Sequence, residues 1–163
     1  MRLFVAIQLS EEMRDGLCLL QSCFVKEGVK GNYTPRENLH LTLAFIGEFP
    51  DWEGALQVVE SICLQPFELR LKGIGAFGDL WWVGLEDSDP LNSYVKSLRR
   101  GLASAAIPFD RKNFRPHITI IRRAKMCDGP IRLPVPRASM WVERASLMRS
   151  DRGRNGMIYS EIQ

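Results

Sequence analysis

The chain has 163 residues, 45% of them apolar and 25% charged, with a formal net charge of +3. That length suits one domain (residues 1–163) with a sizeable core, and the composition is ordinary for a globular protein. No apolar run approaches the length of a membrane span, and the start Met1-Arg2-Leu3-Phe4-Val5-Ala6-Ile7 is too short for a signal peptide and lacks a small-residue cleavage site.

In chain order, residues 2–8 alternate as a first strand. Ser10 caps a helix over 11–25, with Glu11 and Glu12 in the first turn and Met13, Leu17, Leu20 and Phe24 at helical spacing. Gly28, Gly31 and Asn32 break it, and a strand follows at about 39–46. Pro50 and Asp51 open a helix over 52–64, stopped by Pro66. Phe67–Leu71 alternates as a strand, Gly73, Gly75 and Gly78 mark a flexible stretch, and 80–85 is a strand again. Asp89 caps, and Pro90 begins, a helix over 90–106 that ends before Pro108. A strand at 115–122, a surface loop at 124–137 and closing strands near 140–149 and 156–162 complete the chain, with a hairpin turn at 151–156.

The four cysteines (Cys18, Cys23, Cys63, Cys127) form no Cys-x-x-Cys pair, and nothing in their spacing marks a zinc site or a disulfide framework. Free thiols fit a reducing, cytoplasmic compartment. Charge is lopsided: residues 1–95 carry 7 Lys+Arg against 14 Asp+Glu, and residues 96–163 carry 15 against 5. Arginine dominates the basic half, and a planar guanidinium suits phosphate. By itself such a face is a solvated surface.

The chain's two histidines open the same four-residue pattern, His40-Leu41-Thr42-Leu43 and His117-Ile118-Thr119-Ile120, 77 residues apart. In a strand each His shares a face with the Thr two residues on, over a buried apolar pair. Two half-buried strands with satisfied polar pairs would also give this pattern, but no histidine is spent elsewhere. The repetition predicts two α+β halves, about 1–78 and 79–163 with strands free to exchange, facing across a pseudo-twofold so that both His-Thr faces meet in one cleft. Two imidazoles titrating near neutrality suit paired proton transfer, and Thr hydroxyls and Arg side chains suit a phosphoryl group. Two His with no acid in register are too few ligands for zinc, so a site without metal or cofactor is expected.

Around these motifs the sequence resembles the two-histidine (2H) phosphoesterase superfamily, and within it the bacterial and archaeal RNA 2′,3′-cyclic phosphodiesterases, historically called 2′-5′ RNA ligases. The resemblance rests on Arg2–Ile7, Glu37–Gly47 and Phe114–Arg122 and covers essentially the whole chain. It implies a bilobal α+β fold of mostly antiparallel sheets around a V-shaped cleft, with helices outside. It implies attack of water on the 2′,3′-cyclic phosphate of an RNA or nucleotide end to leave a 2′-phosphate, and 2′-5′ joining as the formal reverse with a 5′-hydroxyl. His40 and His117 match the catalytic positions, with His117 as base and His40 as acid. Thr42, Thr119 and Arg122 match the phosphate-holding ones. Strict alternation from His117 would put Arg123 on the catalytic face unless the strand ends or bulges near Ile121; Arg115 is a weaker candidate on that face. Phe4 is a candidate for stacking on a base, and at most one of Trp81 and Trp82 can line the cleft. A monomer is expected. Other substrates compatible with the motifs are a small cyclic nucleotide, ADP-ribose cyclic phosphate or a 2′-5′ oligonucleotide. An RNA-binding module without turnover is the reading from another class.

Overall fold

A computed structural model describes residues 1–126 and 131–163. Cys127 and part of the expected 124–137 loop therefore lie outside the described residues.

Two antiparallel sheets carry the fold. The first has the order β3-β1-β8-β9, from β1 (Arg2–Gln8), β3 (His40–Glu48), β8 (Ser146–Gly153) and β9 (Gly156–Glu161). The second has the order β2-β6-β5-β4-β7, from β2 (Lys30–Tyr33), β4 (Phe67–Phe77), β5 (Leu80–Leu85), β6 (His117–Lys125) and β7 (Ser139–Val142). Each sheet draws strands from both halves of the chain. The sheets approach where β3 runs beside β6, so the two histidine strands are neighbours without being hydrogen-bonded to each other.

Three helices cover the sheets: α1 (Glu11–Lys26), α2 (Trp52–Ser61) and α3 (Asp89–Ser104). Helix α1 starts where Ser10 accepts from the Met13 N–H, and it buries Met13, Leu17, Leu20 and Phe24. It packs on β6 and β7 of the second sheet, with Phe24 edge-on to Trp81 at 5.5 Å between ring centroids. Helix α3 packs on β3 of the first sheet and buries Leu91, Tyr94, Val95, Leu98 and Leu102. Helices α1 and α3 thus each cover the sheet that holds the other half's histidine. The apolar partners of the motifs, Leu41, Leu43, Ile118 and Ile120, are at most 1% exposed and face this core. At roughly 1.5–3 kcal/mol for each buried aliphatic side chain, these four alone hold the strands firmly enough to fix what their opposite faces present.

Several expectations need correction. The glycine-rich stretch after Leu71 is not flexible: β4 runs through it and pairs Ile74 with Val83 and Gly75 with Trp82. A Cβ on Gly75 would overlap the Trp82 ring, so the glycine is there to let the indole lie against the backbone. Gly75→Ala is expected to cost about 1–3 kcal/mol in denaturant unfolding, the usual penalty of overpacking, and to shift the tryptophan emission. An unchanged spectrum would mean the indole does not sit there.

The expected strand at 140–149 is two strands. Residues Glu143–Ala145 carry the chain from the second sheet to the first, with β7 pairing β4 and β8 pairing β1 and β9. Helix α2 stops at Ser61 because Ile62 is already extended. Helix α3 is capped by Ser88, whose Oγ accepts from the Leu91 N–H at 3.3 Å, so Asp89 is inside the helix and Pro90 follows it. Strand β6 starts at His117, not 115, and continues to Lys125, into the segment expected to be loop. Strand β2 was not foreseen, since Lys-Gly-Asn-Tyr has no alternating pattern; its partner β6 imposes it. No helix among the described residues is long and apolar enough to cross a membrane.

Candidate active site

His40 and His117 each begin a strand, and each ring is held in the same way. The Nδ1 of His40 lies 2.6 Å from the Asn38 carbonyl oxygen, and the Nδ1 of His117 lies 2.6 Å from the Arg115 carbonyl oxygen. A carbonyl only accepts, so Nδ1 carries the proton in both rings and Nε2 is the reacting nitrogen. This tautomer follows from the partner's chemistry. The Nε2 of His40 is 2.8 Å from Thr42 Oγ1, which donates to it while the ring is neutral.

A further hydrogen bond fixes the residue that supplies the first of these carbonyls. Asn38 is buried and donates from Nδ2 to the Met157 carbonyl at 2.9 Å, tying the turn Arg36–Asn38 to β9. Asn38→Ala is expected to cost about 1–2 kcal/mol, because the Met157 carbonyl then loses its partner. The protected Nδ1–H proton resonance of His40 should weaken with it; a resonance as sharp as in the wild type would show that Asn38 does not position the ring.

The question of Arg122 against Arg123 is answered by a bulge. Trp81 pairs with Ile121 while Trp82 pairs with Thr119, so Ile120 is the extra residue. Ile120 and Ile121 are then both fully buried, and the alternation shifts by one. The Ile120 carbonyl is captured from the other side, by Gln21 Nε2 at 3.0 Å and the Thr34 N–H at 3.0 Å. Thr34 Oγ1 also donates to the Thr119 carbonyl at 3.0 Å. Beyond the bulge Arg122 lines the same cavity as His117 and Thr119, and Arg123 takes a left-handed backbone, φ 53°.

That cavity, about 760 Å³, is lined by His40, Thr42, His117, Thr119, Arg122 and Tyr159, among others. Burial pushes the His40 imidazole below its usual range; the hydrogen bond to Asn38 opposes this, and the positive charges of Arg122, His117 and Arg14 reinforce it. His40 is therefore held toward its neutral form.

Phe4 is corrected from the expected role. It is 4% exposed and lies under His40, with ring centroids 5.1 Å apart, in a small cluster with Ala6 and Met148. It has no free face for a base and serves as the floor beneath the imidazole. Two tyrosines, Tyr33 and Tyr159, do line the cavity, and Tyr159 stands edge-on to both Phe4 and His40 at 5.2 Å. Sequence reasoning missed it, although the alternation of β9 puts Met157 and Tyr159 on one face. Trp81 is buried in the core, whereas Trp82 is half-buried beside Phe77 and His117.

Among the described residues no three His, Cys, Asp or Glu side chains converge as a metal site. The cleft instead presents two imidazoles with matched tautomers, two hydroxyls and a guanidinium. The fold and site together define an α+β protein with a two-histidine cleft that carries a guanidinium.

Residues 26–154 match the 2′-5′ RNA ligase superfamily, and the chain belongs to that family. It is 33% identical over 132 residues to an RNA 2′,3′-cyclic phosphodiesterase of Thermotoga maritima, covering 75% of this chain and 70% of the relative. It is 32% identical over 178 residues to the protein of the same name from Thermus thermophilus, covering 100% and 88%. Among solved structures it is similar to E. coli LigT complexed with 3′-AMP, with a TM-score of 0.87 and 27% identity over 99% of this chain and 95% of that one.

Proposed function

We propose that the chain is an RNA 2′,3′-cyclic phosphodiesterase, a hydrolase that opens the cyclic phosphate at an RNA or nucleotide end and leaves a 2′-phosphate. The observation that carries this reading is the pair of imidazoles with Nδ1 anchored on a carbonyl and Nε2 as the reacting nitrogen, together with the family membership above.

His117 Nε2 takes a proton from water as the water oxygen bonds to phosphorus. The P–O3′ bond breaks, and O3′ takes the proton of protonated His40 Nε2. Thr42, Thr119 and Arg122 hold the phosphoryl oxygens, and Arg122 offsets their charge as it concentrates in the transition state. His40 must be protonated for this step although its burial and the positive charges near it favour its neutral form. The bound phosphate anion supplies the correction, since a nearby negative charge stabilises imidazolium. The protein acts in this reading as a cytoplasmic monomer, with RNA or a nucleotide as its partner.

The test is a short RNA ending in a 2′,3′-cyclic phosphate, incubated with EDTA, with the product identified by phosphorus NMR. Conversion to a 2′-phosphate is expected. Recovery of unchanged RNA with folded protein would overturn the reading and send the search to small cyclic nucleotides.

A further inference from the structure

The histidine cavity does not end at the histidines. Thr42 and His117, which line it, also line a second cavity of about 710 Å³, which His40 does not line. This second cavity carries Arg99, Arg111, Lys112 and Arg115 against the single carboxylate of Asp110. Arg111, Lys112 and Arg115 are exposed, and Asp110 is already engaged by the Lys112 N–H at 3.0 Å. Two exposed aromatics, Phe45 and Phe77, lie in its wall, each 38% accessible. Phe77 stands edge-on to His117 at 5.1 Å between centroids, and the Arg115 guanidinium lies 5.9 Å from its ring centroid. Cations that follow a backbone, interleaved with exposed rings on which bases stack, are what a single strand of nucleic acid requires.

Resting on the function proposed above, we infer that this second cavity is the site for the RNA strand attached to the 5′-oxygen at the reacting phosphate. Such a strand is the one bearing the 5′-hydroxyl in 2′-5′ joining. The position of His117 decides which strand this is. The group that attacks phosphorus approaches from the side of the base, and the second cavity contains His117 but not His40. In joining, the 5′-hydroxyl takes the place of water. O5′ bonds to phosphorus and gives its proton to His117 Nε2, the P–O3′ bond breaks, and O3′ takes the proton from His40. In the reverse direction the 3′-hydroxyl of a 2′-5′-linked RNA attacks phosphorus and loses its proton to His40, and O5′ leaves with a proton from His117. Phe77 is placed to stack the first base beyond the phosphate, and Arg111 and Lys112 meet the phosphates that follow.

The test compares two RNAs with one 2′-5′ bond each, one carrying a four-nucleotide tail beyond the 5′-oxygen and the other the same tail on the opposite side. In Arg111→Glu,Lys112→Glu, kcat/KM for cleavage of the first is expected to fall at least about tenfold. Its dependence on log salt should lessen by ~1.4, the share of two phosphate contacts on a single strand. Cleavage of the second, and hydrolysis of a nucleoside 2′,3′-cyclic monophosphate, should stay within about twofold of the wild type, the scale of a remote surface change. Equal losses on both RNAs, a loss confined to the second, or no loss on either overturns the strand site. A wild-type protein that leaves the 2′,3′-cyclic phosphate of an RNA end unopened overturns the proposed function instead. The strand site is then judged by fluorescence anisotropy with a 5′-hydroxyl oligonucleotide, where equal affinity of wild type and variant would sink it.

Discussion

His40→Ala and His117→Ala are each expected to slow hydrolysis of a 2′,3′-cyclic phosphate by roughly 10²–10⁴-fold, the span of a lost general acid or base. No other imidazole exists in the chain to replace either one. The cost arises at Nε2, because Nδ1 is committed to a backbone carbonyl in both rings. The two losses should not multiply. One proton enters as another leaves, so with either histidine gone the reaction must use water for half of the exchange, and the remaining imidazole gains little by itself. The double variant should therefore fall close to the poorer single variant, with Thr42, Thr119 and Arg122 still binding phosphate. His117→Asn serves as a control for shape, since an amide can hydrogen-bond to the Arg115 carbonyl but cannot take up a proton. Wild-type rates in either alanine variant would remove that histidine from the mechanism.

Arg122→Ala is the second large effect, a loss of roughly 10²–10³-fold, comparable to removing one preorganised donor from a developing anion. Arg122→Lys should recover only part of this, because an ammonium keeps the charge but not the planar fork. A second readout separates electrostatics from folding. Arg122 is one of the cations that hold His40 below its usual range, so Arg122→Ala should raise the pH at which His40 titrates. Adding inorganic phosphate to the wild type should do the same, since an anion favours imidazolium. With two histidines the proton spectrum has two ring Cε1–H signals to follow, assigned with His117→Ala.

The same lowered value has a consequence for stability. The unfolded chain takes up a proton on His40 near pH 6.5, before the folded protein does. The contribution of the buried neutral ring is whole above that pH and is lost as pH falls toward the folded value. His40→Ala should flatten the acid side of the stability curve. An Arg122→Ala protein with unchanged rate and unchanged His40 titration would show that the guanidinium does not act in the cleft.

Much of the fold is legible because burial imposes periodicity. Helices α1 and α3 and strands β1, β3 and β5 announce themselves through apolar residues at spacing 3.6 or 2, and they form within a few residues of where that spacing puts them. Segments whose structure comes from a partner do not announce themselves. Strand β2 exists because β6 offers it an edge, and β4 continues past Leu71 because Trp82 needs Gly75 beneath it. The stretch near 140–149 reads as one strand, and only the need to reach two different sheets breaks it at Glu143–Ala145.

Local order alone set the two His-x-Thr faces, since a strand with one buried side leaves no other direction for those side chains. The residues themselves also set the basic character of the second half and the family to which the chain belongs. Tertiary structure decided the rest of the cleft. A bulge fixed by Gln21 and Thr34, far from it in sequence, selects Arg122 over Arg123, because one extra residue reverses every side chain beyond it. Pairing of β9 on β8, two strands from β1 in the same sheet, brings Tyr159 against Phe4 and turns Phe4 from a base-stacking candidate into the floor under His40. Both outcomes depend on contacts between residues far apart in the chain, such as Gln21 with Ile120 and Phe4 with Tyr159, and no local pattern of apolar and polar residues records such contacts.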